Sequence, residues 1–151
     1  MVDILKIVQL LISIVLASQG IFYALGLAQA VKNISIPAFA EQRNAIDEHI
    51  AIKLKFLYYG ALILGIVVLI LLKEGYHSST FVFLASSTML TMADIVLAVK
   101  FNIPINKAFK SYPGGVVDWN TLRARWIRFI LIRGVLSIGA MLLLLLASIS
   151  L

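Results

Sequence analysis

The sequence predicts an all-α fold: a four-helix transmembrane bundle with both termini on the outer side. Three observations predict it. Hydrophobic residues make up 62% of the 151 positions and charged residues 13%, where soluble domains carry about 45–50% and about 25%. The apolar residues fall in four blocks, near 4–31, 56–72, 80–99 and 126–147, each close to the length a helix needs to cross a bilayer. Lys and Arg crowd into alternate connections, the pattern of a multi-pass membrane protein. The expectation is one transmembrane domain over residues 1–151.

Taken in order, the first block has Lys6, an apolar core and Val15-Leu16-Ala17, which resembles a cleavable secretory signal. The apolar run continues to Val31, so it reads as an uncleaved span. "PAFAEQRNAIDEHIAIKLKFLYYG" spaces Ile46, Ile50, Leu54 and Leu57 as a helix, so the second helix is expected to start before the membrane, near Glu41 or Asn44. Pro104 is expected to end the third helix, and "SYPGG" to make a turn. Asp118 stands as the N-cap of a helix running through "WNTLRARWIRF" into the fourth span.

Orientation follows from the basic residues. The first connection carries Lys32, Arg43, Lys53 and Lys55; the third carries Lys100, Lys107, Lys110, Arg123 and Arg125. The other side offers Lys6 and Lys73. Positive loops stay in the cytoplasm, so both of those connections are expected there, in a bacterial inner membrane. The formal charge of +6 is thereby a topology signal, and nucleic acid is not an expected partner.

Several chemistries are excluded by composition. No cysteine is present, which removes disulfides, thiolate metal sites and cysteine nucleophiles. With two histidines, a metal centre would need carboxylates or another chain, and none is expected. His49 and His77 lie on opposite sides and cannot share one haem. The sequence contains no HExxH, glycine-rich phosphate loop or serine-hydrolase signature.

Asp94 is the one acid deep in an apolar block, and Arg133 the one deeply placed base. A charge near the bilayer centre costs about 2.5–3.5 kcal/mol on insertion scales and marks a candidate site. Counting about 1.5 Å per residue from the same side, Asp94 lies roughly 8 Å deep and Arg133 roughly 10 Å deep. These are consecutive antiparallel helices, so the two are expected to pair. Ser87, Thr91, Asp94 and Ala98 share one face, and Leu122, Trp126, Arg133, Ser137 and Ala140 share another. Gln9, Ser13 and Gly20 form a similar stripe on the first helix. Tyr23, Tyr58, Tyr59, Gln29, Asn102 and Asn106 fall in the same slab, where they either line a pocket or form a hydrogen-bonded plug.

"NIPIN" at 102–106, a basic connection, and "LRARWIRFILIRGVLSIGAMLLLLLA" resemble the second half of the anthrone oxygenase-like family of small four-helix membrane proteins. The matching positions are Asn102, Pro104, Asn106, Arg125, Trp126 and Arg133. The resemblance runs from about Asp94 to Ala147 and is only topological before that. It implies an oxygenation of anthrones to anthraquinones that needs neither metal nor flavin, so no cofactor is expected.

Candidate roles follow, each beside a plainer one. Asp94 or His49 is the candidate base for a phenol-like substrate, and Arg133 would stabilise the anion. A structural ion pair is the plainer reading of Asp94–Arg133, and a solvated helix turn of His49. Tyr23, Tyr58, Tyr59, Asn102, Asn106 and Trp126 are the candidate ligand-binding residues. Asn102 and Asn106 also suit local turns, while Trp119, Trp126 and Tyr112 suit an aromatic belt at the headgroups. Two functions are therefore expected in competition. One is a site near the cytoplasmic leaflet for a quinone- or polyketide-like amphipathic molecule. The other is a non-catalytic subunit that packs in a larger membrane complex or with its own copies.

Overall fold

A computed structural model of the chain describes residues 2–72, 75, 77–115 and 117–149. Among these there is no strand. Helix α1 (Val2–Phe22) passes through a π-helical turn at Tyr23–Leu27 into α2 (Ala28–Asn33). Helix α3 spans Ile36–Leu71 and α4 spans Ser79–Leu97. A second π-helical turn, Ala98–Asn102, leads from α4 into α5 (Ile103–Lys110), and α6 runs from Trp119 to Ile149. Four stretches, 2–33, 36–71, 79–110 and 119–149, are long and apolar enough to cross a membrane, as the sequence predicts. Lys73, which enters the orientation argument, lies outside the described residues.

Local chemistry sets the boundaries. Ser35 accepts from the Ala38 N–H and opens α3, with Pro37 in the first turn, where a missing N–H costs nothing. Helix α3 therefore starts at Ile36, several residues earlier than Glu41 or Asn44. Ser78 caps α4 by accepting from the Phe81 N–H at 3.2 Å. Asp118 Oδ1 accepts from the N–H groups of Asn120 and Thr121, and Oδ2 from the Thr121 hydroxyl. This is the expected N-cap, and these bonds, the Thr121 hydroxyl first, hold the Asp118 carboxyl below its usual pKa.

Pro104 does not end the third helix. The Ile103 N–H reaches back to the Ala98 carbonyl, five residues away, in the wider π-helical turn. Pro104 then sits in the first turn of α5, the place in a helix where its ring is tolerated. At Gly26 the backbone leaves helical geometry, with φ 158° and ψ −20°, and kinks the first helix.

The four long helices pack in a ring. Helix α1 lies against α3 and α6, and α4 lies against α3 and α6. Small residues allow close approach: a Cβ on Gly20 would fall 2.4 Å from the Cα of Gly134. Backbones meet this closely only where side chains are absent. Gln9, Ser13 and Gly20 of α1, Ser87, Thr91 and Asp94 of α4, and Ser137 and Ala140 of α6 are all buried, so the three polar stripes face inward. Ile7, Leu11, Ile63, Ile66, Ile70, Val96 and Val135 face outward, which suits hydrocarbon and not water. Core clusters sit at both ends: Val68, Leu84, Leu144 and Ala147 at one, and Phe39, Ile105, Phe109 and Trp126 at the other.

Candidate functional site

Two polar layers occupy the half of the bundle nearer the basic connections. The inner layer joins three helices. Arg133 Nε donates to Asp94 Oδ1 at 2.5 Å, and its Nη2 donates to the Tyr58 hydroxyl at 3.0 Å. The guanidinium also lies 5.4 Å from the Tyr58 ring centroid. Asp94 is 0% exposed. Either charge alone would be expensive here; together they neutralise each other, with one carboxylate oxygen and two guanidinium nitrogens engaged. The pairing expected from matching depths is thus present, with Tyr58 as its third member.

Beside the pair is a cavity of about 10 Å³, lined by Ser13, Leu16, Tyr58, Thr91, Asp94, Ser137 and Ala140. That is about the volume that admits one water molecule. Asp94 Oδ2 is buried without a hydrogen-bond partner. Around it the hydroxyls serve packing: Ser87 donates to the Ala140 carbonyl of α6 at 2.7 Å, Thr91 to the Ser87 carbonyl, and Ser137 to the Gly134 carbonyl. Further along, Gln9 Nε2 and Thr88 Oγ1 fill the space that a Cβ on Gly65 would need.

The outer layer is built around Trp126. Its indole N–H donates to Asn106 Oδ1 at 2.8 Å, and Asn106 Nδ2 donates to Asp47 Oδ1 at 3.0 Å. Arg43 Nη2 pairs with the same Asp47 oxygen at 2.8 Å and lies over the Trp126 ring, 4.7 Å from its centroid. Tyr23 and Phe39 meet Trp126 edge-on at 5.6 and 5.5 Å. Trp126 is only 2% exposed, so it is a core residue and not a member of a headgroup belt. The reason is its partner set: Asn106 satisfies the polar edge that would otherwise seek the interface. Asn44 and Arg123 fasten this layer to the backbone, donating to the carbonyls of Phe109 and Ile34.

The candidates therefore divide. Asp94, Arg133 and Tyr58 meet in the inner layer. Tyr23, Asn106 and Trp126 meet in the outer one. Asn102 is 3% exposed, with neither amide oxygen nor nitrogen hydrogen-bonded. Tyr59 is 42% exposed, because adjacent residues of a helix point about 100° apart and Tyr58 takes the inward position. Gln29 is exposed. His49 is exposed too: it lies two residues, or about 200° around α3, from inward-facing Asp47, and so is not positioned as a base beside Asp94. Arg43 and Asp47 are the polar-layer residues that the sequence did not single out, although their spacing of four on a stretch with Phe39 and Ala40 was the available signal.

Among the described residues no group of three or more His, Asp or Glu side chains is placed to hold a metal ion. No protein family, curated protein or solved structure matches the chain.

Proposed function

We propose that this chain is a non-catalytic accessory subunit of a larger membrane assembly, seated in a bacterial inner membrane with its basic end toward the cytoplasm. One observation carries this reading: the polar layer at Asp94 leaves almost no space for a ligand. Small-molecule pockets usually hold about 300–1,000 Å³, and the space beside Asp94 is about 10 Å³. Asp94, Arg133 and Tyr58 engage one another and the surrounding hydroxyls engage helix carbonyls, which supports a role in helix register and leaves the outer apolar faces for lipid or for neighbouring subunits. The test is solubilisation in mild detergent at native expression level, followed by native mass spectrometry. Co-isolated membrane subunits or defined self-association support the reading. A lone chain carrying a small molecule overturns it.

A second reading is favoured by the unpartnered Oδ2 of Asp94, a carboxylate oxygen free to accept a proton. Together with the family resemblance it supports a cofactor-free oxygenase. The reaction is anthrone plus O2 giving anthraquinone plus water: two C–H bonds at the methylene carbon are replaced by one C=O bond, and O2 is the oxidant. Oxygen uptake with an anthrone, lost in Arg133→Gln protein that still folds, would establish this reading over the first.

A further inference from the structure

A second concavity has a lining that includes none of the hydrogen-bonded side chains of the two polar layers. It is a groove of about 200 Å³ between the second π-helical turn with α5 on one side and the start of α6 on the other. Lys100, Phe101, Pro104, Ile105, Leu122 and Arg125 line it. We propose that this groove binds the headgroup of an anionic phospholipid, with Lys100 and Arg125 on the phosphate and the acyl chains on the adjoining helix face.

Charge is the first argument. Lys100 and Arg125 are both exposed, and no described carboxylate forms an ion pair with either. Two cations from different helices converge over an otherwise apolar floor, so the site asks for an anion. The π-helical turn contributes to this geometry. Its extra residue shifts Lys100 and Phe101 from the angular positions that a regular helix would give them, a distortion frequent at functional sites. Phe101 is fixed by stacking on Phe129 of α6, with centroids 4.1 Å apart and planes 6° apart.

Depth is the second argument. Lys100 is six residues beyond Asp94 and Arg125 eight residues before Arg133, so both lie about 9–12 Å along their helices from the buried ion pair. That is headgroup level if the ion pair is within the hydrocarbon. Val96, Val99 and Ile103, spaced three and four apart, are exposed on the helix beside the groove and offer an apolar track for an acyl chain. The groove is smaller than a typical small-molecule pocket, as expected if it holds only the polar end of a ligand whose remainder lies in the bilayer. Basic pockets at helix ends on the cytoplasmic side recognise lipid headgroups by this chemistry.

The full chain, purified and returned to nanodiscs of mixed phosphatidylglycerol and phosphatidylcholine, is the material for the test. Native mass spectrometry after stepwise delipidation should find one phosphatidylglycerol retained in preference to phosphatidylcholine. Retention should fall at least tenfold in Lys100→Gln/Arg125→Gln and stay unchanged in Lys53→Gln/Lys55→Gln, which removes the same charge elsewhere. A photoactivatable phosphatidylglycerol should label the unaltered protein within 98–105 or 122–125, so the site can be located without any variant. Four outcomes overturn the proposal: equal retention of both lipids, equal loss in the two double variants, displacement of the lipid by inorganic phosphate, or labelling elsewhere. Loss of a protein partner with lipid retention intact would also overturn it, assigning the groove to an acidic polypeptide.

Discussion

Trp126 donates its indole N–H to Asn106 across the interface between α6 and α5, and that one asparagine also donates to Asp47 on α3. A single side chain thus links three helices. Asn106→Leu leaves the buried indole N–H unsatisfied, at about 1–3 kcal/mol, and removes one of the two donors to Asp47 Oδ1, which keeps Arg43. The expected outcome is a lower detergent melting temperature and altered Trp126 emission, read in a Trp119→Phe background because the chain has two tryptophans. Unchanged emission would assign the indole to another environment.

The ion pair predicts a specific double-mutant pattern. Removing one member of a buried pair costs about 3–5 kcal/mol, while replacing both with apolar residues is often neutral. Asp94→Asn and Arg133→Gln should each lower stability strongly. Asp94→Leu/Arg133→Met should recover most of the loss if the pair is structural. Thermal unfolding of the four proteins in one detergent decides it.

Close backbone approach predicts which glycines resist substitution. Gly20→Ala and Gly134→Ala would drive a methyl into the facing helix, since the added Cβ lies 2.4 and 2.8 Å from the opposite Cα. Overpacking of this kind costs about 1–3 kcal/mol. Gly60→Ala meets nothing within 4 Å and should leave stability unchanged or raise it slightly. A matched series of melting temperatures tests the contrast.

The Asp118 cap carries a pH signature. Its carboxyl titrates below the ordinary value of 3.8, so its stabilisation of the α6 start is fully present above that value. It is lost as pH falls through the lowered folded-state value. Amide exchange at Asn120 and Thr121, corrected for intrinsic rates, should lose protection as pH falls through that window. Asp118→Ala should lack protection at every pH.

How much of this was legible follows from particular residues. Asp94 and Arg133 could be paired from sequence because antiparallel neighbours at equal depth leave few alternatives. Arg43 could not be placed so easily. The apolar block of the second helix begins only at Phe56, so Arg43 read as a loop charge, whereas a continuous helix from Ile36 carries it under Trp126. Pro104 misled for a related reason: a π-helical turn inserts one residue, and neither hydropathy nor a 3.6-residue period registers the insertion. Trp126 at a span boundary resembles an interface anchor until its partner Asn106, 20 residues away, is placed beside it.

Helix α3 has 36 residues, about 54 Å at 1.5 Å per residue, and so exceeds the hydrocarbon thickness of about 30 Å. The surplus includes Arg43 and Asp47, and the same unbroken rod continues to Tyr58. One continuous backbone therefore joins both polar layers, carrying Asp47 to Asn106 and Tyr58 to Arg133. A bend introduced into α3 between these two residues is expected to misalign both sets of contacts together.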